Sequence, residues 1–384
     1  MTEGPPPAAP SGQGQKPAGP RRVAVRVRVP ITATSLALIL ILIGFFLAQL
    51  WLGQGNPEEP LTLFRLGGNS WVAMLDGDLF RLGSSSFLHT GFVHLLLNCW
   101  TLWLMMVLVE RSFGPVTALG IYALSVVGSC ALTNLWSMHG GNAYLIGVGA
   151  SGGIFGLWGA YAALWLRVRK LLTREASKFT SRKLLIVLGL IVFTDGAGAL
   201  AFGDSSQAIE HLGGIAVGLC AGLLSPLAIK PRRLWSRPAQ ILLVLATFAL
   251  ASMEGAAISR AGHPHSRHLR GDGVSAEAPW MLVPWPGNSG VAVSPGEIGL
   301  RTRIFRSATP LQLPANAEAM PIGDRTWLRA HEKGEHEGEE LLTLTAKEGA
   351  GSVQVHVLCD TATCRGELME QAAIDLARNF RVGN

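Results

Sequence analysis

The chain has 384 residues, of which 49% are hydrophobic and only 15% charged, against roughly 25% charged in an average soluble domain. That balance excludes an ordinary water-soluble enzyme and marks a protein that crosses a membrane several times. The formal net charge of +6 does not mark a nucleic-acid binder, because the basic residues gather beside the apolar segments, where they set topology and meet anionic lipid headgroups.

Residues 1–28 are rich in Pro, Gly and Ala and read as a disordered tail. Arg21, Arg22, Arg26 and Arg28 precede the first apolar segment, Ile31 to Leu52, which places the N-terminus on the cytoplasmic side. That segment is too long for the apolar region of a cleaved signal peptide, and no small-residue cleavage site stands clearly behind it. Four further stretches lack Lys, Arg, Asp and Glu: Phe92 to Val109, Pro115 to Met138, Ala143 to Leu166 and His211 to Ile229. Leu184 to Gly203 carries one acid, Asp195, and Pro238 to Met253 extends towards Ile258. The pattern predicts seven spans. Alternation puts two basic loops on the N-terminal side, one with Arg167, Arg169, Lys170, Arg174, Lys178, Arg182 and Lys183, the other with Lys230, Arg232, Arg233 and Arg237. The tail after the seventh span is then extracytoplasmic.

The connection from Gly53 to Gly91 is long, and its Trp71, Met74, Leu75, Leu79, Phe80 and Phe87 predict a structured element lying partly in the outer interface.

Polar groups inside spans are costly and are functional candidates. His94 and Asn98, four residues apart in HLLLN, share one face of the second span. Ser151 sits in IGVGASGGIFGLW, where Gly149 with Gly153 and Gly152 with Gly156 make small-xxx-small spacings. On its own helix Ser151 reads as a packing serine. His211 opens the sixth span, and Gly214 and Gly218 leave its face without side chains. Spans two, four and six all begin at the outer surface, so His94, Asn98, Ser151 and His211 share one depth. Close packing of span four on span six would bring Ser151 to a base, the relation that makes a nucleophile. Backbone N–H groups at the start of span four, with Asn98 and His94, offer an oxyanion hole; an interhelical hydrogen-bond pair is the rival reading of His94 and Asn98. Asp195 has two accounts, a water-facing site near the outer end or a helix-packing hydrogen bond. Nothing resembling HExxH accompanies the histidines, so no metal is expected.

In the tail, Ala261 to Ala278 is polar and reads as the start of a linker covering 261–291. From 292 to 384 the pattern is that of a small α+β domain: LLTLTA and SVQVHVLC alternate as a hairpin, and Glu367 to Phe380 has helical periodicity. Cys359 and Cys364 in CDTATC are either a disulfide closing a small loop or two free thiols. This domain shows no catalytic constellation, and capture of a substrate or of an unknown ligand is its expected role.

Taken together, GASG around Ser151, HLLLN, His211 with Gly214 and Gly218, the Phe80-Arg81 pair, FLHTGFVH and ERSFG from Glu110 to Gly114 give the core from about Leu61 to Leu227 a pattern that resembles the rhomboid family of intramembrane serine proteases. The resemblance implies an all-α bundle, here at 29–260, of six core transmembrane helices plus a seventh. It implies Ser151 as nucleophile, His211 as general base and then acid, and the Ser151 amide, His94 and Asn98 as the oxyanion hole. Phe155 would pack on His211, with Gly149, Gly152, Gly214 and Gly218 shaping the site. No carboxylate and no cofactor are needed, and the implied substrates are transmembrane proteins cut near the outer face of a plasma or inner membrane. The chain departs from the family pattern at Glu210, where a small residue is usual, at Gln207, where an acid is common, and at Phe80, usually Trp. A rhomboid-like protein that binds transmembrane helices without cutting them is the second reading.

Overall fold

Helix α1, Ala33–Leu52, starts where Thr32 can cap it: the Thr32 hydroxyl accepts from the Ser35 N–H and the Ser35 hydroxyl accepts from the Thr32 N–H, so two otherwise orphaned donors are satisfied reciprocally. The computed structural model describes residues 30–140, 145–171, 205–228, 236–262, 266–271, 274–287, 289–295, 299–307, 317–349, 351–360 and 366–382, with single helical positions between 182 and 200. The expected N-terminal tail, Cys364 and most of the fifth apolar segment lie outside the described residues.

The connection after α1 is ordered, as its apolar content requires. It holds α2 (Pro60–Arg65), α3 (Trp71–Leu75), α4 (Arg81–Ser84) and a 3-10 turn at Ser85–Phe87. Trp71, Phe80 and Phe87 are buried, while Leu75 and Leu79 stay exposed. The long helices follow: α5 (Phe92–Phe113), α6 (Pro115–Gly140), α7 (Ser151–Val168), α8 (Ser206–Leu224) and α9 (Ser236–Gly262). Gly114 at φ +89 separates α5 from α6, and Pro115 at the first position of α6 forgoes only an N–H that has no helical partner. Four of these helices, α1, α5, α6 and α8, are long and apolar enough to cross a membrane. Their outward residues, among them Leu40, Leu47, Phe92, Leu96, Trp100 and Leu132, are exposed, as a lipid-facing surface would be.

The seam between α7 and α8 is made by glycine. A Cβ on Gly218 would overlap the carbonyl oxygen of Gly156, one on Gly214 that of Gly152, and one on Gly159 that of Ile215. Backbone therefore lies directly on backbone, as small-residue faces permit. At the far end of the seam Arg167 Nη1 donates to the Gly222 and Ser225 carbonyls at 2.8 and 2.6 Å, satisfying acceptors that the end of α8 leaves open.

Residues 266–382 form a β-rich unit. A three-stranded sheet has the order β1-β2-β10 and a seven-stranded antiparallel sheet the order β3-β4-β5-β9-β8-β7-β6, where β1 is Arg267–Gly271, β2 Val274–Ala278, β3 Val283–Pro284, β4 Val291–Val293, β5 Arg301–Ser307, β6 Glu318–Ile322, β7 Arg325–Lys333, β8 Glu339–Glu348, β9 Gly351–Asp360 and β10 Arg381–Val382. The expected hairpin is β8 and β9, registered with Leu344 opposite Val355. Helix α10, Gly366–Arg378, buries Met369, Ala372, Ala373 and Leu376 in the same core as Trp327, Leu344, Val355 and Val357. The stretch expected to be a linker instead carries β1 to β3. Strands β1 and β2 alternate buried and less buried residues, a period-two pattern masked in the sequence by their charged partners. Cys359 is disulfide-bonded, and Cys364 is not among the described residues.

This unit docks on the α2–α4 connection. Phe64 stacks on Trp280 with centroids 6.3 Å apart, and Trp71 meets Trp285 edge-on at 5.5 Å. Beside them Asp78 gathers three guanidinium groups, from Arg81 at 2.9 Å, Arg260 at 2.6 Å and Arg267 at 2.5 Å, and Arg267 also reaches Asp76.

Candidate active site

The loop entering α7 is pinned before the helix begins. Gly147 and Asn69 exchange backbone hydrogen bonds at 2.9 Å each way, and the Gly149 N–H donates to the Ser85 carbonyl at 3.0 Å. Gly149 has φ +130, and a Cβ there would also press on the His94 ring at 3.0 to 3.1 Å. Only glycine serves at that point. Ser151 then opens α7, among the first N–H groups that have no carbonyl within the helix to receive them.

His94 and Asn98 lie on α5 as the spacing predicted. The His94 ring lies over Gly149, its Nδ1 is 3.2 Å from the Thr90 hydroxyl, and the Ser151 Oγ is 3.7 Å from the position a Gly149 Cβ would take. Asn98 is buried one turn further in, and its Nδ2 has no hydrogen-bond partner among the described residues. An unpaired buried amide is costly, and here it is a donor waiting for an acceptor. His89 packs edge-on against His94 at 5.1 Å; burial, with His94 beside it, pushes its pKa down to about 3, which leaves it neutral. Ser84, Ser85 and Ser86 are buried, and Ser84 and Ser86 donate to the Gly67 and Gly83 carbonyls. They hold the connection together.

His211 is buried on the second turn of α8, and the Phe155 ring, one turn after Ser151, lies 4.2 Å from its centroid. The glycine seam below fixes this juxtaposition of the two helix starts. His211 Nδ1 is 2.8 Å from the Asp195 carboxylate, both side chains being nearly inaccessible. Asp195 therefore does not face water, and its partner is the histidine itself. No spacing rule could have found the pair, because the two residues lie on different helices.

Glu210 is the second residue whose partner the sequence hid. As a neighbour of His211 on one helix it faces elsewhere, and its carboxylate accepts from the Ser151 hydroxyl and from the Gly152 N–H. The arrangement supplies a serine at a helix N-terminus, an imidazole with one nitrogen engaged by a carboxylate, and an unpaired amide donor. That is chemistry for attack on a carbonyl. Among the described residues no three of His, Cys, Asp and Glu are grouped to hold a metal.

A multi-span membrane protein with serine and histidine at adjoining helix starts is the class these features define. The rhomboid domain family matches residues 76–226, a stretch that holds every residue of the site. The chain is 33% identical over 190 residues to the rhomboid-family protein YdcA of Bacillus subtilis (strain 168), covering 48% of this chain and 85% of that one. It is 32% identical over 121 residues to rhomboid protease AarA of Providencia stuartii, covering 29% and 42%, and 29% identical over 140 residues to inactive RHOMBOID-like protein 8 of Arabidopsis thaliana, covering 35% and 38%. The chain belongs to the rhomboid family. It spans about half or less of the length of its Arabidopsis and Providencia relatives, and the β-rich unit from 266 onwards lies beyond the matched domain.

Proposed function

We propose that the protein is an intramembrane serine endopeptidase that cuts transmembrane segments of membrane proteins with Ser151 and His211. The observation that carries this reading is the glycine seam, which lays Phe155, one turn after Ser151, against His211. Ser151 Oγ attacks the scissile carbonyl while His211 Nε2 takes its proton. The oxyanion is received by the Ser151 N–H, the unpaired Asn98 Nδ2 and the His94 Nε2–H, a donor when the Thr90 hydroxyl donates to Nδ1. His211 then returns the proton to the leaving amine, and water releases the acyl group by the same route in reverse. The Ser151 hydroxyl turns from Glu210 to His211 when substrate binds.

The basic loops place the N-terminus in the cytoplasm and the site towards the outer leaflet of a plasma or inner membrane. The β-rich unit is then extracytoplasmic, disulfide-closed through Cys359, and placed to meet the outer part of a substrate. The name of AarA, rhomboid protease, agrees with this reading. A second reading, a rhomboid-like protein that binds helices without cutting, draws on the hold of Glu210 on Ser151 and on the inactive Arabidopsis relative.

The test is cleavage of a helix-destabilised transmembrane substrate by purified protein in liposomes. Ser151→Ala and His211→Ala are each expected to lower turnover by about a thousandfold or more. Wild-type protein that stays folded and cuts none of several such substrates would decide for the binding reading.

A further inference from the structure

Asp195 is a buried acid of the membrane bundle that has no place in a two-residue mechanism. Asp195, itself a helical position, is 6% exposed and spends its carboxylate on His211 Nδ1 at 2.8 Å. An acid at such a depth is expensive, and a packing contact to an imidazole needs only a hydroxyl or an amide. The neighbours of His211 do not compete for that nitrogen. Phe155 covers its ring, and Glu210 is turned to Ser151 and Gly152.

Resting on the protease reading above, we propose that Asp195 is a positioning residue that completes a Ser151–His211–Asp195 array, holding His211 with its proton on Nδ1 and Nε2 open towards Ser151. When Nε2 takes the serine proton, the imidazole becomes a cation in a buried site, and the Asp195 carboxylate opposes that charge without accepting the proton. The proton then leaves from Nε2 to the departing amine, so Asp195 begins and ends each half-reaction ionised. This is the division of labour by which a buried aspartate serves the serine and histidine of soluble hydrolases. Here it is reached from a different helix of a membrane bundle.

The experiment compares wild type, Asp195→Asn, Asp195→Glu and Ser151→Ala in three readouts: turnover of the transmembrane substrate, the rate at which a fluorophosphonate labels Ser151, and the unfolding temperature in detergent. Asp195→Asn keeps the size of the side chain and removes its charge. It should lower kcat and the labelling rate by about 10² to 10³-fold, within the range that positioned acid–base groups supply, with KM within about twofold and the unfolding temperature close to wild type. Asp195→Glu should recover part of the loss. If Asp195→Asn turns over within about twofold of wild type while Ser151→Ala is dead, Asp195 is a packing residue and the proposal is overturned.

A separate measurement does not need activity. Nitrogen-15 spectra of labelled histidine, with His211→Gln to assign the signal, should show the His211 proton on Nδ1 in the wild type and its loss from that nitrogen in Asp195→Asn. An unchanged tautomer overturns the proposal even in an active enzyme. A wild type that neither cuts nor labels sinks the protease reading and the catalytic half of this one, and the tautomer then decides whether Asp195 holds His211 at all.

Discussion

Two buried contacts organise this molecule, and they are held by opposite means. The α7–α8 seam works because side chains are missing: at Gly156 against Gly218 and Gly152 against Gly214, backbone meets backbone. The docking of the β-rich unit on the α2–α4 connection works because charged side chains are present, with Asp78 shared among Arg81, Arg260 and Arg267. The first contact is made of backbone and has no slack. The second can be loosened by protonating one carboxylate. The half of the protein that sets the geometry of Ser151 and His211 is therefore the rigid one.

The largest effect should come from filling the seam. Gly218→Val sets a branched side chain against the Gly156 carbonyl, a backbone atom that cannot rotate away. The expected cost is about 3 kcal/mol or more, at the upper end of overpacking, with activity down by about a hundredfold through misplacement of the two helix starts. Unfolding in detergent and cleavage by the same preparation check both. Gly255→Ala in α9 is the control, since a Cβ there meets nothing within 4 Å; it should leave the protein as stable as wild type or slightly more so.

Asp78→Ala attacks the other contact. Arg81 keeps the Phe64 and Gly68 carbonyls as acceptors and Arg267 keeps Asp76, so the cost should be about 2 kcal/mol, below that of leaving a buried charge wholly unpaired. Burial pushes the Asp78 carboxyl up, and Arg81 and Arg267 together outweigh it and hold it below the usual carboxylate value of 3.8. A carboxyl with a depressed folded pKa contributes stability that is complete above its unfolded value and is lost as pH falls through the folded one. The opening free energy of β1 and α3 from hydrogen exchange, corrected for the intrinsic pH dependence of amide exchange, should therefore be flat from about pH 5 to 8 and fall in acid. Asp78→Asn should abolish that acid limb. Exchange at Gly214 and Gly218 should show no matching step, and an acid transition shared by both regions would erase the distinction between them.

The contrast also explains what could be read from the chain. The seam was legible, because a face without side chains is written as a local spacing: Gly152 with Gly156, and Gly214 with Gly218. HLLLN put His94 and Asn98 on one face for the same reason, and the alternation in LLTLTA and SVQVHVLC gave the β8–β9 hairpin. Charge pairing leaves no such trace. Asp78 finds Arg260 and Arg267 from 182 and 189 residues away, and Asp195 finds His211 from 16 away, so only the folded chain names the partners. The strands β1 and β2 were hidden by the same habit. Arg267, His268, Arg270 and Glu277 gave 261–278 the look of a linker, although Leu269, Val274, Ala276 and Ala278 alternate towards the core.

Glu210 is where the two kinds of contact meet, a charge set at the mouth of the glycine seam. Its carboxylate takes the Ser151 hydroxyl and the Gly152 N–H, one the nucleophile and the other the amide next to the proposed oxyanion donor. This hydrogen bond has to break before Ser151 can give its proton to His211, and Glu210→Ala removes that requirement. The labelling rate of Ser151 by a fluorophosphonate should then rise by about tenfold, the equivalent of one such bond, with little change in unfolding temperature. The opposite result is equally informative. A loss of labelling in Glu210→Ala, restored by Glu210→Gln, would mean that the side chain orients the Ser151 hydroxyl instead of restraining it, and the charge at the mouth of the seam would then belong to the working site.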